Sequence, residues 1–352
     1  MSLDDPDFKM MAPLTVSETE MVSGIPDAEN QVYDAGTTYA EDALVWYDGN
    51  IWRSLQDANS ANTPTEGAWW TDLGTVDEGA AEYDAGTSYD EADYVVYGGA
   101  VWVSAIAGTG TNTGNTPSEA GTSWTRIGAT NRFKAFDSFL QDAASLEGGI
   151  TYVLQFTDLV TDIAILRAVG TSVTIVMTDS VEGEVFNETF SLIDDSAITD
   201  WWQYWFAPVV QISSVLAELP PYAGAEIAIT INGENVSVGQ IVCGAGLALG
   251  AVRVGTGVGI ESYSRKDRDE FNRSIVVARP YSDTVDFDLY ISTVMTGYVH
   301  SQLAAREAQK TLFFMRDGAP YAAIVYGFFQ NFDILHGTPV ISDCLLQVEG
   351  LG

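Results

Sequence analysis

Tyr33-Asp34-Ala35-Gly36-Thr37-Thr38-Tyr39 opens a passage that the chain repeats as Tyr83-Asp84-Ala85-Gly86-Thr87-Ser88-Tyr89. Behind the first heptad come Val45-Trp46-Tyr47, Trp52, Pro64 and the pair Trp69-Trp70; behind the second come Val95-Val96-Tyr97, Trp102, Pro117 and Trp124. Matched residues lie 50 apart at Tyr33 and Tyr83 and 54 apart at Trp70 and Trp124, so the second copy carries a slightly longer Gly/Thr/Asn-rich loop. In each copy an alternating run, Leu44-Val45-Trp46-Tyr47 or Tyr94-Val95-Val96-Tyr97, meets Asp48-Gly49 or Gly98-Gly99 and then a tryptophan. That pattern predicts a β-hairpin. Repeats this short cannot fill a core with short aliphatic strands alone, and large rings supply the missing volume.

The differences between the copies sort the rings. Val45/Val95, Tyr47/Tyr97, Trp52/Trp102 and Trp70/Trp124 agree, as residues of a shared core should. Trp46 faces Val96, and Trp69 faces Ser123. Rings that only one copy needs are the better candidates for an exposed surface.

Working outward, residues 1–30 hold one apolar segment around Ala12-Pro13-Leu14-Thr15-Val16 and read as a short arm with one strand that pairs with a neighbour. The repeats occupy 31–76 and 81–129. From 130 to 250, predicted strands at 151–154, 163–166, 172–177, 185–192, 227–231 and 240–242 alternate with turn residues, the pattern of an all-β sandwich. The run Trp201-Trp202-Gln203-Tyr204-Trp205-Phe206 lies within it. Residues 251–352 predict strands around one amphipathic helix over 299–310, an α+β unit. The expected fold class is mainly β: two small tandem modules, a β-sandwich and a C-terminal α+β domain.

The 352 residues carry 49 Asp and Glu against 15 Lys and Arg, a formal charge of −34. Such a field repels nucleic-acid phosphates and anionic lipid, so neither is an expected partner. The first residues lack the basic start and apolar run of a secretion signal, and no stretch nears the roughly 20 apolar residues that span a bilayer. The expected site of synthesis is the cytoplasm. Cys243 and Cys344 read as two buried thiols, with no disulfide framework. His300 and His336 have no nucleophile or carboxylate at triad spacing, so no enzyme activity is expected. Gly255-Thr256-Gly257-Val258-Gly259 lacks the basic residue of a phosphate loop and reads as a turn. Asp158, Asp162, Asp179, Asp194 and Asp195 fall near predicted sandwich loops, from which carboxylates can hold calcium, but their spacing is not diagnostic and the expected cofactor is none.

Flat rings on a small rigid β scaffold can stack on sugar rings while Asp, Asn and Thr take the hydroxyls. The order Tyr-x-Ala-Gly-Thr-x-Tyr, Val-x-Tyr-x-Gly, Trp, Pro and a late Trp resembles the chitin- and cellulose-binding modules of carbohydrate-binding families five and twelve. That resemblance implies a sugar platform at Trp69, Trp70 and Trp46, with Trp52, Trp102 and Trp124 as further candidate carbohydrate-binding rings. The second copy lacks the first Trp of the pair and the hairpin Trp. The usual Gly-Asp before the hairpin is altered to Glu41-Asp42-Ala43-Leu44 and Glu91-Ala92-Asp93-Tyr94.

A longer resemblance is to tail-tip or baseplate proteins of long-tailed bacteriophages and prophages, in which such a module leads into a galactose-binding-like jelly roll. It is carried by Trp124-Thr125-Arg126-Ile127-Gly128-Ala129-Thr130-Asn131-Arg132-Phe133, Ile198-Thr199-Asp200-Trp201-Trp202, Leu219-Pro220-Pro221-Tyr222-Ala223, Tyr263-Ser264-Arg265-Lys266-Asp267-Arg268 and Leu346-Gln347-Val348-Glu349-Gly350-Leu351. It implies a non-enzymatic virion protein whose partners are other tail proteins, copies of itself in a symmetric ring or bundle, and a host-surface glycan. The C-terminal domain would dock into the tail, and Arg265, Lys266 and Arg268 are candidates for a subunit contact. Two alternatives stand beside it: a purely architectural tail protein, and an accessory binding protein of a polysaccharide hydrolase.

Overall fold

The computed structural model describes residues 8–27, 33–41, 43–47, 50–65, 67–75, 80–194, 198–206, 210–253, 255–268, 274–277, 279, 281–315 and 323–351. It is mainly β, built from several sheets and a few short helices. Each repeat forms a small antiparallel sheet. The first joins Leu44–Tyr47, Asn50–Ser54 and Trp70–Thr75, and the second joins Tyr94–Tyr97, Ala100–Ser104 and Trp124–Ala129. Within each, a two-residue pairing closes the opening heptad onto the long loop, at Thr38–Tyr39 with Asn59–Ser60 and at Ser88–Tyr89 with Asn112–Thr113. The second sheet includes a parallel strand, Ala81–Glu82. The turn residues Asp48 and Gly49 lie outside the described residues.

The sandwich packs a five-stranded sheet against a three-stranded one. The larger runs in the order Gly183–Ser191, Ser172–Asp179, Glu226–Asn232, Ile150–Gln155, Met21–Ser23; the smaller runs Ser214–Glu218, Asp162–Leu166, Gln240–Gly244. Their facing side chains, among them Tyr152, Ile163, Ile165, Val173, Ile175, Ile229 and Ile241, form one buried cluster. Alternation along Ile150–Gln155 and Ser172–Asp179 follows the pleat, one face inward and one outward. Asp162–Leu166 breaks the rule, with all five residues buried. Its other face, with Ala164 and Leu166, packs on Met11, Leu312, Phe314 and Tyr326 of the next unit. A strand covered on both faces has no polar side to show, which is why its sequence is apolar from Ile163 to Leu166.

That next unit is a sheet closed on itself. Its order is Gly246–Val252, Phe8–Met11, Thr311–Met315, Ile324–Leu335, Ile341–Gly350, Tyr281–Ser292, and the last strand pairs back with the first at Ala251↔Tyr290 and Val252↔Leu289. Gly257–Ser262 continues along the same edge of Tyr281–Ser292. Closure removes the exposed edges that an open sheet would present. Phe8, Met10, Leu249, Phe287, Leu289, Phe313 and Leu346 fill the interior, and Val299 and Leu303 of a helix, Thr296–Ala304, pack onto it. The helix begins and ends earlier than the 299–310 expected from sequence. Glu307, exposed, cannot extend the buried stripe of Val299 and Leu303, and Ala308 turns left-handed at φ 58°.

The N-terminal segment, read from sequence as a short arm with one pairing strand, contributes two strands. Phe8–Met11 is an interior strand of the barrel, and Met21–Ser23 is an edge strand of the sandwich; Ala12 to Val16 run between them without being a strand. Lys9 ties the two units together: its Nζ donates to Asp162 Oδ1 and to Glu218 Oε1, each at 2.9 Å. Between the second repeat and the sandwich the chain is equally fixed. Thr130 N–H donates to Gly99 O at 3.0 Å, and Asn131 exchanges bonds with Ser145 N–H and C=O. Gly99 has φ 71°, and a Cβ there would overlap the Phe133 ring, so the turn requires glycine twice over. No helix among the described residues is long and apolar enough to cross a membrane.

Candidate carbohydrate-facing surface

The two repeats are the same network of bonds written with different loops. Asp34 N–H donates to Tyr39 Oη at 2.7 Å while Tyr39 Oη donates to Asp34 O at 3.2 Å; Asp84 and Tyr89 do the same at 2.7 and 3.2 Å. Asp34 and Asp84 each also accept from a Gly N–H two residues on and a Thr hydroxyl three on. Trp52 Nε1 donates to Tyr47 O at 3.1 Å and Trp102 Nε1 to Tyr97 O at 3.0 Å. Trp70 Nε1 reaches Asn62 O at 2.8 Å and Trp124 Nε1 reaches Asn115 O at 2.6 Å. A buried indole N–H needs such a partner.

These bonds place four of the candidate rings inside. Trp70 is 1% exposed, Trp124 3%, Trp102 6% and Trp52 9%. Trp70 stands edge-on to Tyr33 and Tyr39 with centroids 6.0 and 5.4 Å away, and Trp124 meets Tyr83 and Tyr89 at 5.9 and 5.2 Å. Rings wedged this way have no free face on which a sugar could stack. Their role in this structure is to fill two very small cores.

Trp69 is different. Its carbonyl accepts from Leu55 N–H at 2.9 Å and from buried Asn59 Nδ2 at 3.2 Å, which pins the backbone, while its side chain is 37% exposed. In the second repeat Ala105 N–H and Asn112 Nδ2 hold Ser123 O in the same way, each at 3.0 Å. The scaffold is therefore complete without an indole at this position. Trp46 lies on Leu44–Tyr47, but its side chain is outside the described residues. Its counterpart Val96 is 4% exposed, and the Gly98-Gly99 turn beyond it is seated against Phe133.

One cleft is not suggested by the sequence. About 790 Å3 opens between the second repeat and the sandwich, lined by parts of Trp102, Trp124, Arg126, Asp137, Phe139 and Asp142 among others. Asp137 accepts from Phe139 N–H at 2.8 Å. Burial pushes its carboxyl up to about 6, with the Phe139 bond opposing and nearby Asp142 adding to the shift. A carboxyl whose folded value is raised is destabilising once ionised, so this contribution appears as pH rises from 3.8 towards about 6. Asp137→Asn should therefore raise stability by about 1–2 kcal/mol at neutral pH, the full shift being discounted for partial exposure, and by nothing at pH 4. Thermal unfolding of both proteins across that range checks it; an equal difference at both ends would refute the assignment.

The remaining candidates are dispersed. Arg265, Lys266 and Arg268 are exposed on a separate hairpin, Arg265–Arg268 with Ser274–Val277. Asp162 is buried against Lys9, and Asp179 caps a turn by accepting from Val181 and Glu182 N–H; Asp195 lies outside the described residues. Among the described residues no three His, Cys, Asp or Glu side chains gather as metal ligands. Cys243 and Cys344 are buried in different clusters, and burial pushes both thiols up to about 12. His336 Nδ1 lies 2.9 Å from Ser342 Oγ, and His300 is exposed on Thr296–Ala304. No protein-family model matches the chain, and neither a curated protein nor a solved structure is significantly similar to it.

Proposed function

We propose that this protein is a non-enzymatic component of the tail tip of a long-tailed bacteriophage, one that presents its first repeat to a host-surface glycan. The observation that carries the reading is the exposed indole of Trp69 on a scaffold whose other copy holds Ser123 at that position with the same backbone bonds. What the repeats share serves folding, and what the first has alone is an outward ring with the shape and chemistry to stack on a sugar. The second repeat, with Val96 buried and its turn seated on Phe133, has an architectural role. The charge of −34 favours a neutral ligand over an anionic one. Several copies around a tail axis would raise weak single-site affinity to useful avidity. The exposed hairpin with Arg265, Lys266 and Arg268 offers cations for a contact with a neighbouring tail protein.

Trp69→Ala is expected to weaken glycan binding about tenfold, the loss of roughly 1–1.5 kcal/mol of stacking, while changing stability by less than about 1 kcal/mol. Glycan-array binding and thermal unfolding of the full chain read the two effects. Unchanged binding in both Trp69→Ala and Trp46→Ala would remove this platform, and a wild type that binds no glycan would leave a purely architectural protein. Immunogold labelling of intact particles tests the setting independently, because a protein absent from them is not a tail component.

A further inference from the structure

Beyond the sandwich's outermost strand, a short helix, Trp201–Phe206, turns its rings into solvent. Trp201 is 79% exposed, Trp202 68%, Trp205 71% and Phe206 69%. At about 100° per residue these four span an arc of roughly 140°, so the apolar stripe points away from the protein instead of towards a core. Trp202 and Phe206 lean on each other with centroids 5.4 Å apart. Ile193, Ile198, Val210 and Ile212, each 38–50% exposed, flank the helix. Residues 198–212 contain one charged side chain, Asp200, in a chain of net charge −34.

We propose that this face is a self-complementary interface between copies of the chain. Area supports it: with rings of roughly 150–250 Å2 each, the four present on the order of 600 Å2. With the flanking aliphatics the patch approaches the ~800 Å2 per partner of a standard interface. Charge selects the partner. Two copies each bearing −34 repel wherever their carboxylates meet, and an uncharged aromatic face is where they can touch without that cost. A symmetric contact needs only one such patch, since each copy offers the other the same surface.

Other occupants fit less well. Surface-lying membrane helices hold Lys and Arg on their polar side, and this segment has neither. A saccharide could enter the shallow cleft formed by Ile198, Thr199, Asp200, Trp201 and Trp205, but it would leave Trp202 and Phe206 uncovered. The contact is separate from Trp69 and holds whether or not the first repeat binds sugar.

Sedimentation velocity of the full chain, across protein concentration and in low and high NaCl, tests the proposal. The wild type should self-associate, and more tightly as salt screens the mutual repulsion, the reverse of an ion-paired contact. Trp202→Glu, which sets like charges across the symmetric contact, should weaken association at least tenfold, roughly the cost of losing one aromatic hot spot. Its thermal unfolding should match the wild type because the ring is already mostly exposed. Phe206→Ser provides a second variant should the first misfold, and Trp69→Ala should associate as the wild type does. A wild type that stays monomeric in high salt, a folded Trp202→Glu or Phe206→Ser that associates undiminished, or a wild type that binds phosphatidylcholine vesicles but not itself would each overturn it.

Discussion

Trp70→Ala is expected to unfold the first repeat while leaving the sandwich and barrel intact. The buried members of its core cluster are Tyr39, Val45, Trp52 and Trp70, with Tyr33, Ala43 and Tyr47 packed on them. Removing a fully buried indole from a large core costs about 3–5 kcal/mol through lost burial and the cavity left behind. Here the loss falls on a unit too small to hold such a reserve, and it also orphans Asn62 O, the acceptor of the indole N–H. Neighbouring Trp69→Ala should leave the fold standing, because that ring is outside the core. Hydrogen exchange by mass spectrometry separates the outcomes: protection should vanish over residues 33–75 in Trp70→Ala alone. Retained protection there would mean that the repeat draws its stability from elsewhere.

The second large effect is expected at Asp162. Its side chain is fully buried and accepts from Lys9 Nζ at 2.9 Å, Thr161 Oγ1 at 2.6 Å and Gly246 N–H at 3.0 Å. Asp162→Ala leaves Lys9 mostly buried with only Glu218, and leaves Gly246 N–H with Thr161 alone. Breaking one side of a buried ion pair costs about 3–5 kcal/mol. The damage should spread to two units at once, since Asp162 belongs to the sandwich and Lys9 lies on a strand between two barrel strands. Denaturant unfolding monitored at both should show them weakened together, and loss from the sandwich alone would contradict the coupling. A pH signature accompanies it. Burial lowers the Lys9 value, but the bonds it donates to Glu218 and Asp162, with their negative charge, outweigh it, and the net shift is upward from 10.5. The ion pair therefore stabilises fully below 10.5 and is lost as pH climbs through the raised value. Asp162→Ala should show less of this alkaline loss than the wild type.

Much of the β content was legible because its signals are local. The strand Ser172–Asp179 alternates in sequence as it does in burial, and the Asn232-Gly233 turn follows the strand Glu226–Asn232. Matched tryptophans identified the repeat cores because the same bonds demand the same residues. Where the sequence was silent, the deciding contacts were distant. Phe8–Met11 pairs with residues some 240 and 300 positions away, and nothing local marks it as an interior strand. The pocket holding Asp137 exists only because the second repeat is seated on the sandwich.

Trp201–Phe206 shows the same limit from the other side. The sequence places this run of four large rings and a tyrosine within the sandwich region, yet Trp201, Trp202, Trp205 and Phe206 are exposed. The sequence alone determined that the chain is mainly β, that its first part is one small unit written twice, and that Trp69 differs from its counterpart in kind. These follow from period-two alternation, turn chemistry and direct comparison of the copies. Only the tertiary structure decided that the N-terminal segment supplies a strand of the barrel, that Asp162 belongs to Lys9, and which aromatic faces meet solvent. Burial is a property of what packs against a residue, and in this protein those partners come from strands hundreds of positions apart, where no local pattern records them.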